Sequence, residues 1–297
     1  MNLDHEVPLT PSKRASCITQ RFWSQIIFPA RVSPDIPQAH TDPPEVPHGL
    51  PELHDRAKPW LIRGLDRSKL PRHIGFIPDG NRRWADRHGL ELTQGHSRGR
   101  AKAQEVVGWC ADLGIEVVTL FTLSTGNLTR GRHERLTDFV EELVTGLAAS
   151  RRFRLRLIGD LQLLPASTQE ILAAAMDQPT GPSSTMVNLL ICYTGRQDIV
   201  AAVRNFLLQP ELRTADAERL AHVLNAHEID RHLSTAGQPE IDLIIRTSGE
   251  QRLSGFLTWQ AAQAELYFTR RYWPDFRRKD LQRALRDYGQ RERRFGA

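Results

Sequence analysis

The sequence predicts an α/β fold, in which helices flank a mostly parallel central sheet. Five short apolar runs are nearly continuous at their centres, as in strands that are buried on both faces. Longer stretches of helical pattern lie between these runs, and this alternation is typical of a parallel sheet covered by helices. The 297 residues are 40% hydrophobic and 25% charged, which agrees with a globular protein of one large domain or two small ones.

The predicted elements follow one another regularly from residue 73 onward. The strands are the apolar runs HIGFIP (73–78), VVTLFTLS (117–124), RLRLIGD (154–160), MVNLLICYT (186–194) and IDLIIRT (241–247). The helices between and after them are predicted at residues 97–113, 133–152, 167–177, 198–208 and 217–233. A further helical segment, FLTWQAAQAELYF, is predicted at residues 256–268.

The first 67 residues differ in composition from the rest of the chain. They hold ten of the 18 prolines, which recur between Pro29 and Pro59 too often for a helix or a central strand to persist. They also carry eight acidic and eight basic side chains, so their net charge is zero. We therefore expect a proline-rich, largely disordered arm over residues 1–67 and one folded domain over residues 68–297.

The net charge of +5 lies entirely in residues 68–297, because the arm is neutral. Such a surplus favours an anionic ligand, which includes phosphates, nucleic acid and acidic membrane surfaces, although a solvated basic surface would give the same count. Cys17, Cys110 and Cys192 are too few and too far apart for a disulfide framework, so a reducing cytoplasm is expected. No apolar run approaches the ~20 residues that a membrane-spanning helix needs.

Polar residues cluster directly after four of the predicted strands. In open α/β sheets the ligand lies outside the carboxyl ends of the strands. The residues found there are rich in arginine, glycine and hydroxyl groups, a combination that binds phosphate through backbone N–H groups and bidentate guanidinium contacts. More than one phosphate group is implied by the cations Arg83, Arg130, Arg246 and Arg252 and the hydroxyl of Ser254.

Asp79 is the acid that stands among these arginines, directly after the first strand. A carboxylate is a poor phosphate ligand, whereas Mg²⁺ binds one or two carboxylates together with water and diphosphate oxygens. Metal coordination is therefore predicted for Asp79, and Glu265, on an otherwise apolar face of the segment 256–268, is a second candidate. Asp79 also suits the N-cap position of a following helix, a role that is compatible with metal binding.

Common nucleotide-binding motifs are absent. The sequence holds no GxxxxGK[ST] phosphate loop and no GxGxxG fingerprint after a strand. It also lacks an HExxH helix, and its one GxSxG match, GHSRG at 95–99, follows a polar stretch rather than the strand that a nucleophile elbow requires. The predicted phosphate site must therefore use other residues.

The residues at these strand ends resemble the signature motifs of the cis-prenyltransferase family, the undecaprenyl diphosphate synthase-like isoprenyl transferases. The similar segments are HIGFIPDGNRRWA (73–85), GH (95–96), LFTLSTGNLTR (120–130), CYTGRQDI (192–199), the long tail at 241–276 and RERRFG (291–296). All of them stand in the family's order, and the resemblance covers residues from about 70 to 297.

The resemblance implies a catalytic domain with the cis-prenyltransferase fold, which joins isopentenyl diphosphate to an allylic diphosphate and forms a Z double bond. It further implies Mg²⁺ as cofactor, a homodimer, a cytoplasmic location and an apolar tunnel for the growing chain. Contact with a membrane would be peripheral, through the lipid product, and no nucleic acid would bind.

The resemblance also implies a role for each matched residue. Asp79 would hold Mg²⁺ on the allylic diphosphate, and Glu265 would be the second metal carboxylate. The allylic diphosphate would contact Gly80, Asn81, Arg82, Arg83, Trp84 and His96. The loop that closes over the substrates would comprise Ser124, Thr125, Gly126, Asn127, Leu128 and Arg130. Asn127 is one candidate for the proton acceptor, and a diphosphate oxygen is the other. Isopentenyl diphosphate would contact Arg246, Arg252, Leu253 and Ser254.

Several departures from the family pattern concern the product. The chain has STGNL at 124–128 where the family usually has STENW, and Leu92 stands where most members have arginine. Leu128 is similar to short-chain actinobacterial-type members, and Thr122 is larger than the small residue of long-chain members. A short product of about two to four isoprene units is expected, because close-packed walls resist added methylenes.

Two other functions are weighed against this one. The first is irregular, lavandulyl-type coupling or the formation of another small terpenoid on the same fold, since such relatives also lack the loop glutamate and the arginine replaced by Leu92. The second is a non-catalytic partner subunit or a basic nucleic-acid-binding protein. Retention of Asp79 opposes a dead subunit, and the aromatic residues of the tail lie in the family's motif block rather than among exposed basic residues.

Overall fold

The computed structural model describes residues 65–128, 133–179 and 185–291. Six strands form one sheet in the order β3-β4-β2-β1-β5-β6, and all five neighbouring pairs are parallel. The strands are β1 (His73–Ile77), β2 (Val117–Ser124), β3 (Arg154–Ile158), β4 (Met186–Tyr193), β5 (Leu243–Arg246) and β6 (Glu265–Phe268). The predicted α/β fold is confirmed. The five predicted strands are found, and β6 is an additional one.

The helices lie between and after the strands. They are α1 (Asn81–Arg87), α2 (Leu92–Asp112), α3 (Thr125–Leu128), α4 (His133–Ala149), α5 (Ala166–Met176), α6 (Gly195–Leu207), α7 (Ala217–Val223), α8 (Ala226–His232) and α9 (Arg278–Gln290). Short 3₁₀ turns occur at Arg67–Lys69, Leu161–Leu163, Pro210–Leu212 and Trp273–Asp275. Among these helices none is long and apolar enough to cross a membrane.

Burial along the strands follows their place in the sheet. Every residue of the central strand β1 is buried, and all of β4 after Met186 is buried as well. The edge strand β6 is only half-buried along its whole length. Strands covered on both faces by helices need apolar side chains on both faces, which is why the runs of Val, Ile and Leu gave a clear sequence signal and the edge strand did not.

The core has two parts, one on each face of the sheet. The larger part packs α2, α4 and α9 against the strands through residues such as Val106, Leu143 and Leu285. In the same part, Trp273 and Phe276 lie 6.0 and 6.3 Å, between ring centroids, from Phe76. The smaller part, on the other face, contains Ile77, Ile244, Phe256 and Leu257.

Two predicted helices were wrong in detail. The predicted helix at 217–233 is two helices, because Leu224 has extended backbone and the side chain of Asn225 caps α8 by accepting from the Glu228 N–H at 3.1 Å. The predicted helical segment 256–268 consists of turns followed by β6. Leu257 has a φ of 36°, in the left-handed region where a right-handed helix cannot continue.

The predicted arm falls almost wholly outside the described residues, since residues 1–64 are not among them. Its last three residues, 65–67, are described, and Leu65 packs partly against the larger core. The boundary between arm and domain stays a prediction.

Candidate active site

A cavity of about 830 Å³ opens at the carboxyl edge of the sheet. It lies over the ends of β1, β2 and β5, so three of the four predicted strand ends meet there. Its walls are formed by Ile77, Pro78, Asp79, Gly80, Asn81, Arg82, Arg83, Leu92, His96, Phe121, Thr122, Ser124, Leu136, Arg246, Glu250, Arg252 and Ser254.

Asp79 lies between two arginines that come from different elements. Arg246, the last residue of β5, donates from Nη2 to Asp79 Oδ2 at 2.9 Å. Arg83, one turn into α1, donates from Nη2 to Asp79 Oδ1 at 3.2 Å. The backbone of Asp79 is fixed by the hydroxyl of Thr247, which accepts from the Asp79 N–H and donates to the Asp79 carbonyl, both at 2.8 Å. The carboxylate is therefore held in one orientation at the end of β1.

Gly80 makes the turn from β1 into α1. Its φ is 105°, a left-handed conformation that favours glycine, and an added Cβ would lie 2.7 Å from Cδ1 of Tyr272. Gly80, and not Asp79, occupies the N-cap position, so the predicted capping role of Asp79 was wrong. Asn81 follows on α1, and its Oδ1 is buried without a hydrogen bond to any described residue.

Arg246 also connects Asp79 to the segment after β5. Its side chain is only 4% exposed, and Nη1 donates to the Ser254 hydroxyl at 2.8 Å and to the Arg252 carbonyl. Glu250 pairs with two of the other three cavity arginines, at 2.9 Å from Arg83 Nη1 and 2.5 Å from Arg252 Nη1. The hydrogen bonds from Arg252 and Arg83 lower the pKa of Glu250.

The charges of the cavity suit an anionic ligand. Four arginines stand against the two acids Asp79 and Glu250, which leaves an excess of two positive charges. Within the described ranges, no three His, Cys, Asp or Glu side chains are grouped closely enough to hold a metal ion by themselves. Mg²⁺ nevertheless fits this donor set, because it needs only one or two carboxylates when phosphate oxygens and water complete its shell. The cavity offers two carboxylates, Asp79 and Glu250, and Asp79 is the one that the sequence predicted as a metal ligand.

A smaller chamber of about 120 Å³, lined mainly by apolar residues with Asn81, His96 and Thr122 among them, adjoins the cavity. The two spaces share Pro78, Asn81, His96, Phe121, Thr122 and Leu136. The chamber continues between the sheet and the helices, where Ala103, Leu120, Phe139, Leu143 and Trp273 close it. A molecule with a charged head and a short hydrocarbon tail would suit a basic cavity joined to a small chamber of mainly apolar residues.

An irregularity in β2 brings two successive side chains to the chamber. Phe121 pairs with Leu190 and Leu123 pairs with Ile191, so Thr122 has no partner on β4. Strict alternation would place Phe121 and Thr122 on opposite faces, but both line the cavity and the chamber, whereas Leu123 is buried in the larger core. The bulge explains why alternation along the sequence could not decide which residues line the cavity.

The structure does not bring two predicted segments into the cavity. Thr194, Gly195 and Arg196 follow β4 but do not line it; an added Cβ on Gly195 would lie 2.3 Å from Thr258 Oγ1, so this glycine serves close packing. Glu265 lies on β6 and not on a helix. It stands opposite Leu243, three positions before the carboxyl edge, and pairs with Arg291 at 2.5 Å.

The remaining predicted residues divide into three groups. Arg82, His96 and Ser124 line the cavity. Trp84 packs on His88 with 4.5 Å between ring centroids, and Leu253 packs against the smaller core. Thr125 and Gly126 begin α3, whereas the side chains of Asn127 and Leu128 and the whole of Arg130 lie outside the described residues.

Sequence reasoning missed Thr247 and Tyr272 and gave Glu250 no role. Glu250 lies in the polar segment after β5, between Arg246 and Arg252 in the sequence. This position between two arginines was the available signal. Thr247 and Tyr272 reach residues 79 and 80 only through the pairing of β1 with β5 and the return of the chain after β6. No local pattern marks them.

The comparisons with known proteins agree on one family. The model of the undecaprenyl diphosphate synthase family matches residues 77–296. Isoprenyl transferase 1 of Corynebacterium diphtheriae is 45% identical over 240 residues, which are 80% of this chain and 91% of the relative. A (2Z,6E)-farnesyl diphosphate synthase of Thermobifida fusca is 46% identical over 239 residues, which are 80% of this chain and 94% of the relative.

A solved structure is similar over most of its length. It is the lavandulyl diphosphate synthase of Lavandula x intermedia in complex with dimethylallyl diphosphate, with a TM-score of 0.70 and 31% identity. The match covers 77% of this chain and 100% of that one.

Proposed function

Because this chain belongs to the undecaprenyl diphosphate synthase family of prenyltransferases, we propose that it condenses isopentenyl diphosphate with a short allylic diphosphate to give a short-chain Z-prenyl diphosphate. The observation that carries the proposal is the arginine-lined cavity with its small apolar chamber. The names of similar proteins, short-chain Z-isoprenyl diphosphate synthase and (2Z,6E)-farnesyl diphosphate synthase, support it.

The arginines bind the two diphosphates and stabilise the charge that develops on the leaving group. Arg246, Arg252 and Ser254 form one set of donors, which hold the isopentenyl diphosphate. Arg82 and Arg83, at the start of α1, form the other set, for the allylic diphosphate. Donors already in place stabilise a developing anion without reorganisation. Mg²⁺, when bound to Asp79 and the diphosphate, would neutralise part of the same charge.

The chamber holds the hydrocarbon part of the allylic substrate away from water. Its walls are mainly aliphatic and aromatic, so few groups near the allylic cation could capture it. The chamber has a volume of only about 120 Å³ and is closed by Leu143, Phe139 and Trp273. This small volume favours a product of about two to four isoprene units, since packed walls resist longer chains.

A proton must leave the former isopentenyl unit after the new C–C bond has formed. Two acceptors are proposed, Asn127 and an oxygen of a bound diphosphate. An Asn127→Ala variant separates them, because substantial turnover without the amide would leave the diphosphate oxygen as the acceptor.

We also propose Mg²⁺ as the metal, a homodimer and a cytoplasmic location. A carboxylate, that of Asp79, beside diphosphate-binding arginines supports Mg²⁺, which needs only one or two carboxylates. The half-buried edge strand β6 leaves a surface on which a second copy could pack. Cys110 and Cys192 are buried free thiols, which supports a reducing compartment. Chelation followed by readdition of Mg²⁺ tests the requirement for this metal, and sedimentation analysis tests the homodimer.

A second candidate function is irregular coupling of two allylic units. It is favoured by the similarity to lavandulyl diphosphate synthase and by Gly126 in place of the loop glutamate. It uses the same Asp79 and the same arginines, so only the product separates the two functions.

The decisive experiment analyses products. Purified protein is incubated with Mg²⁺, labelled isopentenyl diphosphate and dimethylallyl, geranyl or farnesyl diphosphate, and the dephosphorylated products are identified by mass and by double-bond geometry. A linear product with a new Z bond is expected. A branched product, or one formed from dimethylallyl diphosphate alone, would select irregular coupling. No metal-dependent product from any allylic substrate would refute both.

A further inference from the structure

A second basic pocket lies outside the catalytic cavity. It has a volume of about 340 Å³ and is formed by the end of β6, the loop that follows it, α1 and α9. Four arginines and two aspartates line it, which leaves an excess of two positive charges. Its charged residues are Arg87, Arg270, Arg271, Arg283, Asp275 and Asp280.

The side chain of Tyr272 separates this pocket from the catalytic cavity. The two spaces share no lining residue. Tyr272 packs on Gly80, which lines the cavity, and it belongs to the wall of the pocket. The guanidinium of Arg83 in the cavity and that of Arg87 in the pocket lie 5.8 and 5.0 Å from the centroid of its ring. The pocket is therefore a neighbour of the catalytic site and not a part of it.

The buried carboxylate of Asp280 positions two of the arginines. Its Oδ1 lies 3.7 Å from Arg271 Nε and 3.4 Å from Arg283 Nη1. Its Oδ2 accepts from the Arg277 N–H at 3.0 Å, so this oxygen is committed to the start of α9. One carboxylate oxygen therefore faces two guanidinium groups with five N–H donors each, and most of those donors are left for another acceptor.

Arg270 adds a third cation to the pocket. It makes no hydrogen bond or ion pair with another residue of the described ranges. Arg87 adds a fourth, whose only described partner is the face of the Tyr272 ring. Thr269 and Tyr267 also line the pocket and carry hydroxyl groups. Convergent guanidinium groups in a concave space are suited to an anion with several oxygens in different directions.

We propose that this pocket is a second anion site, which binds inorganic diphosphate independently of the catalytic cavity. Two adjacent phosphate groups match an excess of two positive charges and a set of four arginines better than a single small anion does. The assignment goes beyond the proposed reaction, and it rests only on the charge, shape and partners of the pocket.

The experiment measures binding while the catalytic cavity is filled. Isopentenyl diphosphate and an unreactive thio-analogue of the allylic diphosphate are added to saturation, and inorganic diphosphate is then titrated by calorimetry. We expect one further equivalent to bind per chain, with an affinity that falls as salt is added. In an Arg270→Ala/Arg283→Ala variant the dissociation constant should rise at least about tenfold, because two charge-assisted donors are lost.

A matched control removes the same charge elsewhere. Arg213 and Arg219 are exposed arginines between β4 and β5 that do not line the pocket, so an Arg213→Ala/Arg219→Ala variant should bind diphosphate as the wild type does. The proposal is overturned if the saturated wild type binds no further diphosphate, or if the Arg270/Arg283 variant binds it unchanged. Equal weakening in both double variants would also overturn it, because only net charge would then matter. None of these outcomes depends on turnover.

Discussion

Asp79 shares its two carboxylate oxygens between Arg83 and Arg246, which come from different elements. Glu250 does the same for Arg83 and Arg252. Each acid thus compensates two cations. The arrangement explains how Arg83, Arg246 and Arg252 can line one small space in a stable fold.

Replacement of Asp79 by alanine should abolish activity and leave the fold intact. The variant loses the carboxylate proposed to hold the metal, whereas Arg246 keeps its bonds to Ser254 and to the Arg252 carbonyl. We expect a loss of at least ~3 kcal/mol of transition-state stabilisation, more than about a hundredfold in kcat/KM. Asp86→Ala, an exposed position on α1, is the matched control. Near wild-type turnover in Asp79→Ala would refute the catalytic assignment.

His73 makes the stability of the protein sensitive to acid. Its side chain is buried, with Nδ1 2.9 Å from the Pro239 carbonyl and Nε2 2.8 Å from Thr119 Oγ1. The carbonyl can only accept, so Nδ1 carries the proton, and the Thr119 hydroxyl then donates to Nε2. Burial lowers the pKa of His73 from 6.5 to about 4, so the neutral ring is the native form.

Neutral His73 contributes its full stabilisation to the fold above pH 6.5. As the pH falls from 6.5 towards 4, His73 is protonated in the unfolded chain but not in the folded one, so this stabilisation is lost. Between pH 7.5 and pH 5 the loss should be about 2 kcal/mol. Urea denaturation at both pH values measures it. In a His73→Gln variant this part of the pH dependence should disappear, and an unchanged slope would show that other groups cause it.

At the scale of elements, we predict that the bulge in β2 sets the length of the product. It places Phe121 and Thr122 together on the wall of the chamber. Thr122→Ala removes bulk from that wall and should lengthen the product by about one isoprene unit or more, since a packed wall resists each added methylene. Chromatography of the products with farnesyl diphosphate as starter measures the shift.

A substitution at Leu123, the next residue of β2, is the control for the Thr122→Ala prediction. It is buried in the larger core, so Leu123→Ala should cost about 2–5 kcal/mol of stability through the cavity it leaves and should not lengthen the product. A wild-type enzyme that makes chains of ten or more units, or a Thr122→Ala variant with unchanged products, contradicts the role given to the bulge.

The turn that carries Ser254 is held to α6 by a buried carboxylate. Asp198 is 8% exposed and accepts from the Tyr193 hydroxyl at 2.9 Å, from Gln260 Nε2 at 3.0 Å, and from the N–H and the hydroxyl of Ser234 at 3.1 and 3.0 Å. Ser254 begins the run of turns that also contains Gln260, and its φ is 53°. Such a backbone persists only where surrounding contacts fix it.

Asp198→Asn should therefore impair binding of isopentenyl diphosphate more than it impairs chemistry. The amide nitrogen of asparagine would face Gln260 Nε2, which can only donate. The turn should therefore shift, and the KM for isopentenyl diphosphate should rise about tenfold. The KM for the allylic substrate and the melting temperature should change little. Asp177→Asn, at an exposed position, is the control. Equal changes in both KM values would indicate general loosening instead.

Strands that are buried on both faces were the elements that the sequence predicted best. β1, β2 and β4 are apolar on both faces and were found within one residue at each end. The segment 256–268 was predicted as a helix because its apolar residues suit helical spacing, yet positive φ at Gly255 and Leu257 turns the chain and only residues 265–268 form a strand. These turns are fixed by contacts with α6, such as Gly195 against Thr258, which no local pattern encodes.

At the scale of the whole molecule, the sheet order explains why the site lies where it does. β1 stands between β2 and β5, so the loops after these three strands converge although residues 79 and 246 are 167 positions apart. The sequence predicted that strand ends would carry the site, and the motifs predicted which residues. The strand order itself was not predicted, and this is why the segment after β4 was expected in the cavity and is found beside it.

The last prediction concerns the arm. Residues 1–64 contain ten prolines, equal numbers of acidic and basic side chains and no matched motif, so ordering them would cost conformational entropy with little apolar burial to offset it. A chain that begins at Leu65 keeps the residue that packs on the larger core. Its turnover and its melting temperature should equal those of the full chain. A second truncation that begins at Arg72 also removes Leu65 and Leu70, both of which pack on the core, and should lower the melting temperature. If the first truncation already reduces turnover or stability, the arm contributes to the catalytic domain and the boundary at residue 67 is wrong.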